Sequence, residues 1–313
     1  MPRKALVATA CVGHIGGRPT IAANHELAVE LLDQMGGLGA DLACLPEEFT
    51  LLGLPQDEEE RAKIWEPIPG PTSDLFAEKA RQHGMYVVAG MCEERGNTRI
   101  NTSVLFGRQG EIVGQYDKIH PTLGELEAGT VPGVYADVPV FETDFGKLGM
   151  LICFDVDYPD EWARIGEAGA ELVVFPSMCD GGLRLRAYAW LHSYIIASSV
   201  SGGRSRIINK LGDEVAASGL GVHVAHSTVD LEAEVFHYDM QYQQIRQMQT
   251  DFGNRVTIVG TRDDGVFMVE SNDDAWPISR MKSVYGLENW QEYHDRSVRE
   301  AERVIAQQSV VVG

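Results

Sequence analysis

Three side chains of complementary chemistry each follow a short apolar run: Glu47 after ACLP, Lys118 after GQYD and Cys153 after GMLI. Such runs read as buried strands. In α/β sheets, ligands and catalytic groups collect at the carboxyl ends of the strands, so residues remote in sequence meet there. A carboxylate, an ammonium and a thiol together could attack a carbonyl and move the proton that attack releases. The thiol is a strong nucleophile as thiolate, and a neighbouring Lys118 is expected to lower its pKa and then to stabilise an oxyanion. Glu47 supplies the base; partial burial would raise its pKa and the Lys118 charge would lower it. Taken singly these residues argue little, because a buried Cys is usually inert core and a loop Lys or Glu is usually solvated.

The elements that must position them alternate. Residues 5–12 read as a buried strand, 20–35 as a helix carrying Ile21, Leu27, Leu31, Leu32 and Met35, and Asp41–Leu45 as a second strand stopped by Pro46. The order repeats with a helix over Thr72–His83, a strand over Met85–Met91 and a hairpin of Asn101–Phe106 with Ile112–Tyr116. An irregular stretch from His120 to Thr143 precedes a strand at Leu148–Cys153. A helix at 160–168, a strand at Glu171–Phe175, a helix at Arg184–Ala197 and a hairpin of Arg206–Asn209 with Glu214–Ala217 follow. This alternation predicts an α/β layered domain. With no repeat and no linker, one continuous domain is expected: a catalytic part at 1–235 and an extension at 236–313 that belongs to the same domain and to a subunit interface. Strand signals fade beyond about residue 235. Asn289–Gln308 reads as a helix presenting Trp290, Val298, Ala301 and Ile305 along one face, suited to covering a neighbour or a second subunit.

Composition narrows the function classes. The chain of 313 residues is 44% hydrophobic and 23% charged, as expected of a folded protein, and its formal charge of −20 disfavours nucleic acid and anionic membranes as partners. The five cysteines, Cys11, Cys44, Cys92, Cys153 and Cys179, are widely spaced with no CxxC pair, which fits a reducing cytoplasm. Pro2-Arg3-Lys4 before an apolar stretch imitates a signal peptide, but a buried first strand explains it better. Asn101-Thr102-Ser103 matches a glycosylation acceptor by chance in a cytoplasmic chain. Phosphate-loop, dinucleotide-loop, serine-elbow and HExxH motifs are all absent. His223 and His226 sit three apart in an apparent strand and so face opposite ways, a poor zinc pair.

The residues around the three reactive side chains carry a resemblance. LPEEF at 45–49, YDKIHP at 116–121 and GMLICFDVDYPDEW at 149–162, supported by segments at 67–90, 101–118 and 169–177, resemble the nitrilase (carbon–nitrogen hydrolase) superfamily over roughly residues 4–230. The resemblance implies a four-layer α-β-β-α sandwich that commonly pairs through its helical layers, so a homodimer or higher homo-oligomer is expected. It puts the catalytic glutamate at Glu47, with Glu48 the near miss, the lysine at Lys118 and the nucleophile at Cys153. A second glutamate falls on Glu125, with Glu127 as competitor. It also implies that the backbone N–H of Phe154 shares the oxyanion with Lys118, that ammonia leaves from a small amide or N-carbamoyl substrate through a thioester, and that neither metal nor organic cofactor takes part. His120 as a Cys–His base fits less well than a structural role.

Phe154-Asp155 follows the nucleophile where nitrile-hydrolysing relatives generally carry Trp-Glu, so the chain resembles the amidase and carbamoylase branch more. Nitrile hydrolysis, acyl transfer to another acceptor and a silent scaffold remain as alternatives. Arg184, Arg186 and Arg204 are candidate partners for a substrate carboxylate, although solvated arginine is the commoner case.

Overall fold

The computed structural model describes residues 3–136, 138–261 and 265–312. The chain divides into two compact units, Lys4–Leu231 and the segment from Glu232 onward. The first unit runs β1 (Lys4–Ala10), α1 (Ile21–Gly37), β2 (Leu42–Cys44), α2 (Glu58–Ala62), α3 (Pro71–His83), β3 (Tyr86–Arg95), β4 (Thr98–Phe106), β5 (Ile112–Asp117), α4 (Leu123–Glu127) and β6 (Val140–Glu142). It continues with β7 (Lys147–Met150), α5 (Pro159–Glu167), β8 (Leu172–Ser177), α6 (Gly182–His192), β9 (Ile195–Val200), β10 (Arg206–Ile208), β11 (Glu214–Ala217) and β12 (Val224–Asp230). Two six-stranded sheets result, ordered β12-β1-β2-β3-β4-β5 and β11-β10-β9-β8-β7-β6. In each, three parallel strands, β1-β2-β3 and β7-β8-β9, form the middle and antiparallel strands flank them.

The period-two alternation of the strands decides which side chains enter which layer. Leu42 and Cys44 of β2 join the core between the sheets, whereas Ala43 turns to the helical side. On that outer side Leu27, Leu31, Leu32 and Met35 of α1 and Phe76 and Ala80 of α3 pack against Val87, Ala89 and Val104. Trp162 and Ile165 of α5 and Leu185 and Tyr188 of α6 cover the second sheet. The layers are therefore α-β-β-α. Buried hydroxyls stitch the sheets together: Thr9 Oγ1 donates to the Ser198 carbonyl at 2.6 Å, and Ser199 Oγ lies 2.8 and 2.9 Å from the carbonyls of Ala10 and Cys44.

Two expectations are corrected. The helix read through Ala197 stops at His192, where Ser193 takes a left-handed backbone with φ 54°, and the β-branched run from Ile195 pairs in parallel with β8 instead. The segment beyond residue 235 contains strands: β13 (Glu234–His237), α7 (Tyr242–Phe252), β14 (Val256–Thr261), β15 (Val266–Ser271), α8 (Ile278–Tyr285) and α9 (Trp290–Val312). Its three strands form an antiparallel sheet, β13-β15-β14, over a core that includes Phe236, Met248, Phe267 and Met281. Along α9, Val298 and Ile305 are exposed. The stretch from Lys4 that imitates a leader is β1, an inner strand between β12 and β2. Among the described residues no helix is long and apolar enough to cross a membrane.

Candidate active site

Glu47 leaves the end of β2 beside Gly90 of β3. A Cβ on Gly90 would lie 2.4 Å from the Glu47 Cα and 2.8 Å from the Glu48 nitrogen, so only glycine lets the two backbones approach this closely. Glu47 is buried. Its Oε1 accepts from Lys118 Nζ at 2.8 Å and from Asn101 Nδ2 at 2.8 Å, and its Oε2 accepts from the Met178 backbone N–H at 2.9 Å. Both sheets thus grip one carboxylate: Asn101 is on β4, Lys118 directly follows β5, and Met178 directly follows β8.

The Lys118 ammonium also lies 2.9 and 2.8 Å from the two oxygens of Glu125. Glu125 is held by a capping box at the start of α4, where Thr122 N–H and Oγ1 donate to its Oε2 at 2.7 and 2.8 Å. Glu127, the competing glutamate, is exposed. Burial works against the Lys118 charge, but Glu47, Cys153 and Glu125 outweigh it and hold its pKa above the ordinary lysine range. Burial would raise Glu125, yet Lys118, Thr122 and Asn101 keep its carboxyl below the usual range. The carboxylates of Glu47, Glu48 and Glu125 converge to within 4.8 Å of one another. The cation bonded to two of them is the Lys118 side chain itself.

Cys153 opens a short 3-10 turn, Cys153–Asp157, with a left-handed backbone of φ 44°. Its pKa runs opposite to the expectation drawn from Lys118. Burial and the Glu47 charge push the thiol up to about 12, and the Lys118 charge, the Ser177 hydroxyl and the Met178 N–H offset only part of that. At neutral pH the Cys153 thiol therefore rests in its protonated form. Phe154 follows in the turn, its ring edge-on to Tyr158 at 5.7 Å.

Asp155 anchors this turn. The fully buried carboxylate accepts from Tyr116 Oη at 2.9 Å, from the Ile152 N–H at 2.9 Å and from the His120 N–H at 3.0 Å. Burial raises its pKa to about 7. Asp155→Ala is expected to destabilise the chain by about 3 kcal/mol or more, since the buried Tyr116 hydroxyl and Ile152 N–H and the part-buried His120 N–H lose their acceptor. Urea unfolding against wild type measures this, and a change below about 1 kcal/mol would contradict the anchoring role. His120 stacks flat on Tyr158 at 3.5 Å and approaches Glu161 at 3.5 Å, so its side chain braces the turn.

Asn101 and the Met178 N–H were not singled out as site groups by the sequence. NTS drew attention to Asn101 only as a sugar acceptor, and it is buried between two carboxylates. Asp155 entered only as a marker of branch. The arginines suggested for a substrate carboxylate are engaged internally: Arg184 with Asp157 at 2.6 Å, Arg186 with the Gly212 carbonyl at 2.8 Å, and Arg204 with Glu214. His223 and His226 belong to none of the compact groups of potential metal ligands found among the described residues.

Glu48, next to Glu47, is buried with a left-handed backbone of φ 45° and accepts from Cys92 Sγ at 3.4 Å. Burial, reinforced by Glu47 and Glu125, raises its carboxyl to about 8. A folded-state pKa above the unfolded one means that the native state holds the extra proton. The stability from that proton is complete below the unfolded value of 4.5 and is lost as pH rises through about 8. Glu48→Gln is therefore expected to flatten the fall in melting temperature from mildly acidic to mildly alkaline pH. Parallel wild-type and variant profiles would refute this.

Two sheets between helical layers, with carboxylate, ammonium and thiol gathered at their strand ends, define a sandwich of the nitrilase type. Residues 8–232 match the model for the carbon-nitrogen hydrolase family, and the chain belongs to that family. Membership supports hydrolysis of a non-peptide carbon–nitrogen bond as the reaction class. A deaminated glutathione amidase of Bos taurus is 27% identical over 252 residues, spanning 70% of this chain and 76% of that protein. A β-ureidopropionase of Arabidopsis thaliana is 31% identical over 199 residues, 59% of this chain and 46% of that protein. Among solved structures, Nit3 of Saccharomyces cerevisiae superposes with a TM-score of 0.62 at 20% identity, covering 80% of this chain and 94% of its own. An amidase of Nesterenkonia sp. AN1, with the acetamide moiety of fluoroacetamide added to its active-site cysteine, gives 0.61 at 21% identity, covering 72% and 90%.

Proposed function

We propose that the protein hydrolyses a small amide to the acid and ammonia through a thioester on Cys153. The observation that carries this reading is the buried Glu47 carboxylate held jointly by Lys118, Asn101 and the Met178 N–H, in a field that acts directly on the Cys153 thiol. Because the thiol is neutral at rest, the proton must leave as the bond forms. Glu47 takes it from Sγ while sulfur attacks the carbonyl carbon, and the negative charge moves to the carbonyl oxygen. Lys118 and the Phe154 N–H hold that oxyanion. Glu47 returns the proton to the departing nitrogen, the C–N bond breaks, ammonia leaves and the thioester remains. Water, deprotonated by Glu47, then attacks the thioester, releasing the acid and restoring the thiol. Glu125 keeps Lys118 in place. The likeness to a β-ureidopropionase favours N-carbamoyl compounds as a second substrate class for the same residues.

Ammonia release from aliphatic amides, ω-amides of dicarboxylic acids, N-carbamoyl amino acids and nitriles tests the proposal. Turnover of amides or carbamoyl compounds is the expected result. Hydrolysis of nitriles alone, or of nothing in the panel, would overturn it.

A further inference from the structure

Beside the carboxylate cluster lies a cleft of about 580 Å³ lined by Glu48, Glu125, Arg61, Trp65 and Arg99 among others. That volume suits a small ligand. Arg99 is two residues before Asn101 on β4, so both side chains leave the same face of the strand, about 7 Å apart along it. Asn101 grips the two catalytic carboxylates, and Arg99 stands one step further out on the same side.

In a chain this acidic, six of the eleven arginines of the sandwich unit are paired with carboxylates: Arg95 with Glu93 and Asp117, Arg108 with Asp41 and Asp144, Arg164 with Glu161, Arg184 with Asp157, Arg204 with Glu214, and Arg206 with Asp180 and Glu214. Arg61 and Arg99 have no carboxylate partner among the described residues. The Arg61 Nε donates to the Pro55 carbonyl at 3.0 Å, and the Arg99 guanidinium lies over the Trp65 ring, 5.4 Å from its centroid. Glu94 stands opposite Arg99 in the β3–β4 ladder yet forms no ion pair with it. Of the acids lining the cleft, Glu125 is occupied by Lys118. Glu48, with its carboxyl raised to about 8 chiefly by burial, is neutral near pH 7. Among the described residues, therefore, the two arginines lining the cleft have no counter-ion.

We propose that this cleft is a specificity subsite in which Arg99 and Arg61 bind a carboxylate carried by the substrate at the end remote from the scissile amide. The inference rests on the amide-hydrolase reading and names the substrate class, the ω-amides of dicarboxylic acids. A planar guanidinium fork matches a carboxylate bidentately, and Trp65 stiffens the Arg99 fork before ligand arrives.

The test compares kcat/KM for ω-monoamides of dicarboxylic acids of increasing length with neutral alkyl amides of matching length. Wild type is expected to prefer the anionic series. In Arg99→Gln the anionic-to-neutral ratio falls roughly 10- to 100-fold, mainly through KM, and Arg99→Lys, which keeps the charge, restores part of it. An unchanged ratio, or a wild type that prefers the neutral series, overturns the subsite. Cys153-dependent hydrolysis of neutral amides alone would leave the thiol mechanism standing while removing this inference. If neither series is hydrolysed, the hydrolase reading fails separately, and calorimetric titration with glutarate still decides: binding weakened by Arg99→Gln supports the cleft, and no binding to wild type refutes it.

Discussion

Cys153→Ala is expected to fold with wild-type stability to within about 1 kcal/mol and to lose turnover by at least roughly 10⁴-fold. The substitution removes one sulfur from a half-buried position and keeps the Cβ. The left-handed backbone at φ 44° is therefore no more strained in the variant than in the parent. What vanishes is the atom that accepts the acyl group. Wild type incubated with a slow amide should gain the mass of the acyl moiety at Cys153, and the variant should not. Turnover retained in the variant would place the nucleophile elsewhere and dismantle the mechanism.

The second large effect belongs to Lys118. Lys118→Met replaces a buried ammonium by a side chain of similar reach, leaving three carboxyl groups within 4.8 Å with no cation bonded to them. Breaking a buried pair in this way costs about 3–5 kcal/mol, because the surviving charge is neither solvated nor paired. The loss should be greatest at neutral to alkaline pH and shrink on acidification, as the abandoned carboxylates take up protons. If Lys118 holds the oxyanion as proposed, turnover should also fall by roughly 10²–10³, the usual consequence of removing such a donor. Denaturant unfolding at several pH values reads the first effect and steady-state kinetics the second. A Lys118→Met protein as stable as wild type would mean that the carboxylates are not held by this ammonium.

Much of the sandwich was legible because its physics is local. Apolar runs ending at Pro46 and at Cys153, and helices such as α1 with Leu27, Leu31 and Met35 in register, announce themselves in any window of the chain. Where local signals conflict, the pairing partner decides. Ser193 breaks α6 by adopting a conformation that sequence does not prescribe, and Ile195 onward becomes β9 because β8 offers a parallel edge. The strands at Val256–Thr261 and Val266–Ser271 carry a β-branched signal of their own, although no turn motif such as Asn-Gly joins them into an evident hairpin. At the site, the three reactive types stood out through their neighbours. Asn101, Asp155 and the Met178 N–H did not, because their importance lies in what they touch across 35 to 131 residues of chain. The sign of the Cys153 shift was equally hidden. It depends on how much burial accompanies the lysine, and spacing carries no measure of burial.

The hydroxyl stitches between the sheets have a mechanical meaning. Ser199 grips the Cys44 carbonyl three residues before Glu47 leaves the first sheet, while the Met178 N–H that clamps Glu47 belongs to the second. Glu47 is thus indexed from both halves at once, as a shaft is by two bearings. A displacement of one sheet against the other by a fraction of an ångström would strain the Glu47 clamp long before it exposed any core. Turnover in this protein should accordingly act as a gauge of sheet alignment, failing under mild perturbation while the bulk secondary structure is still intact.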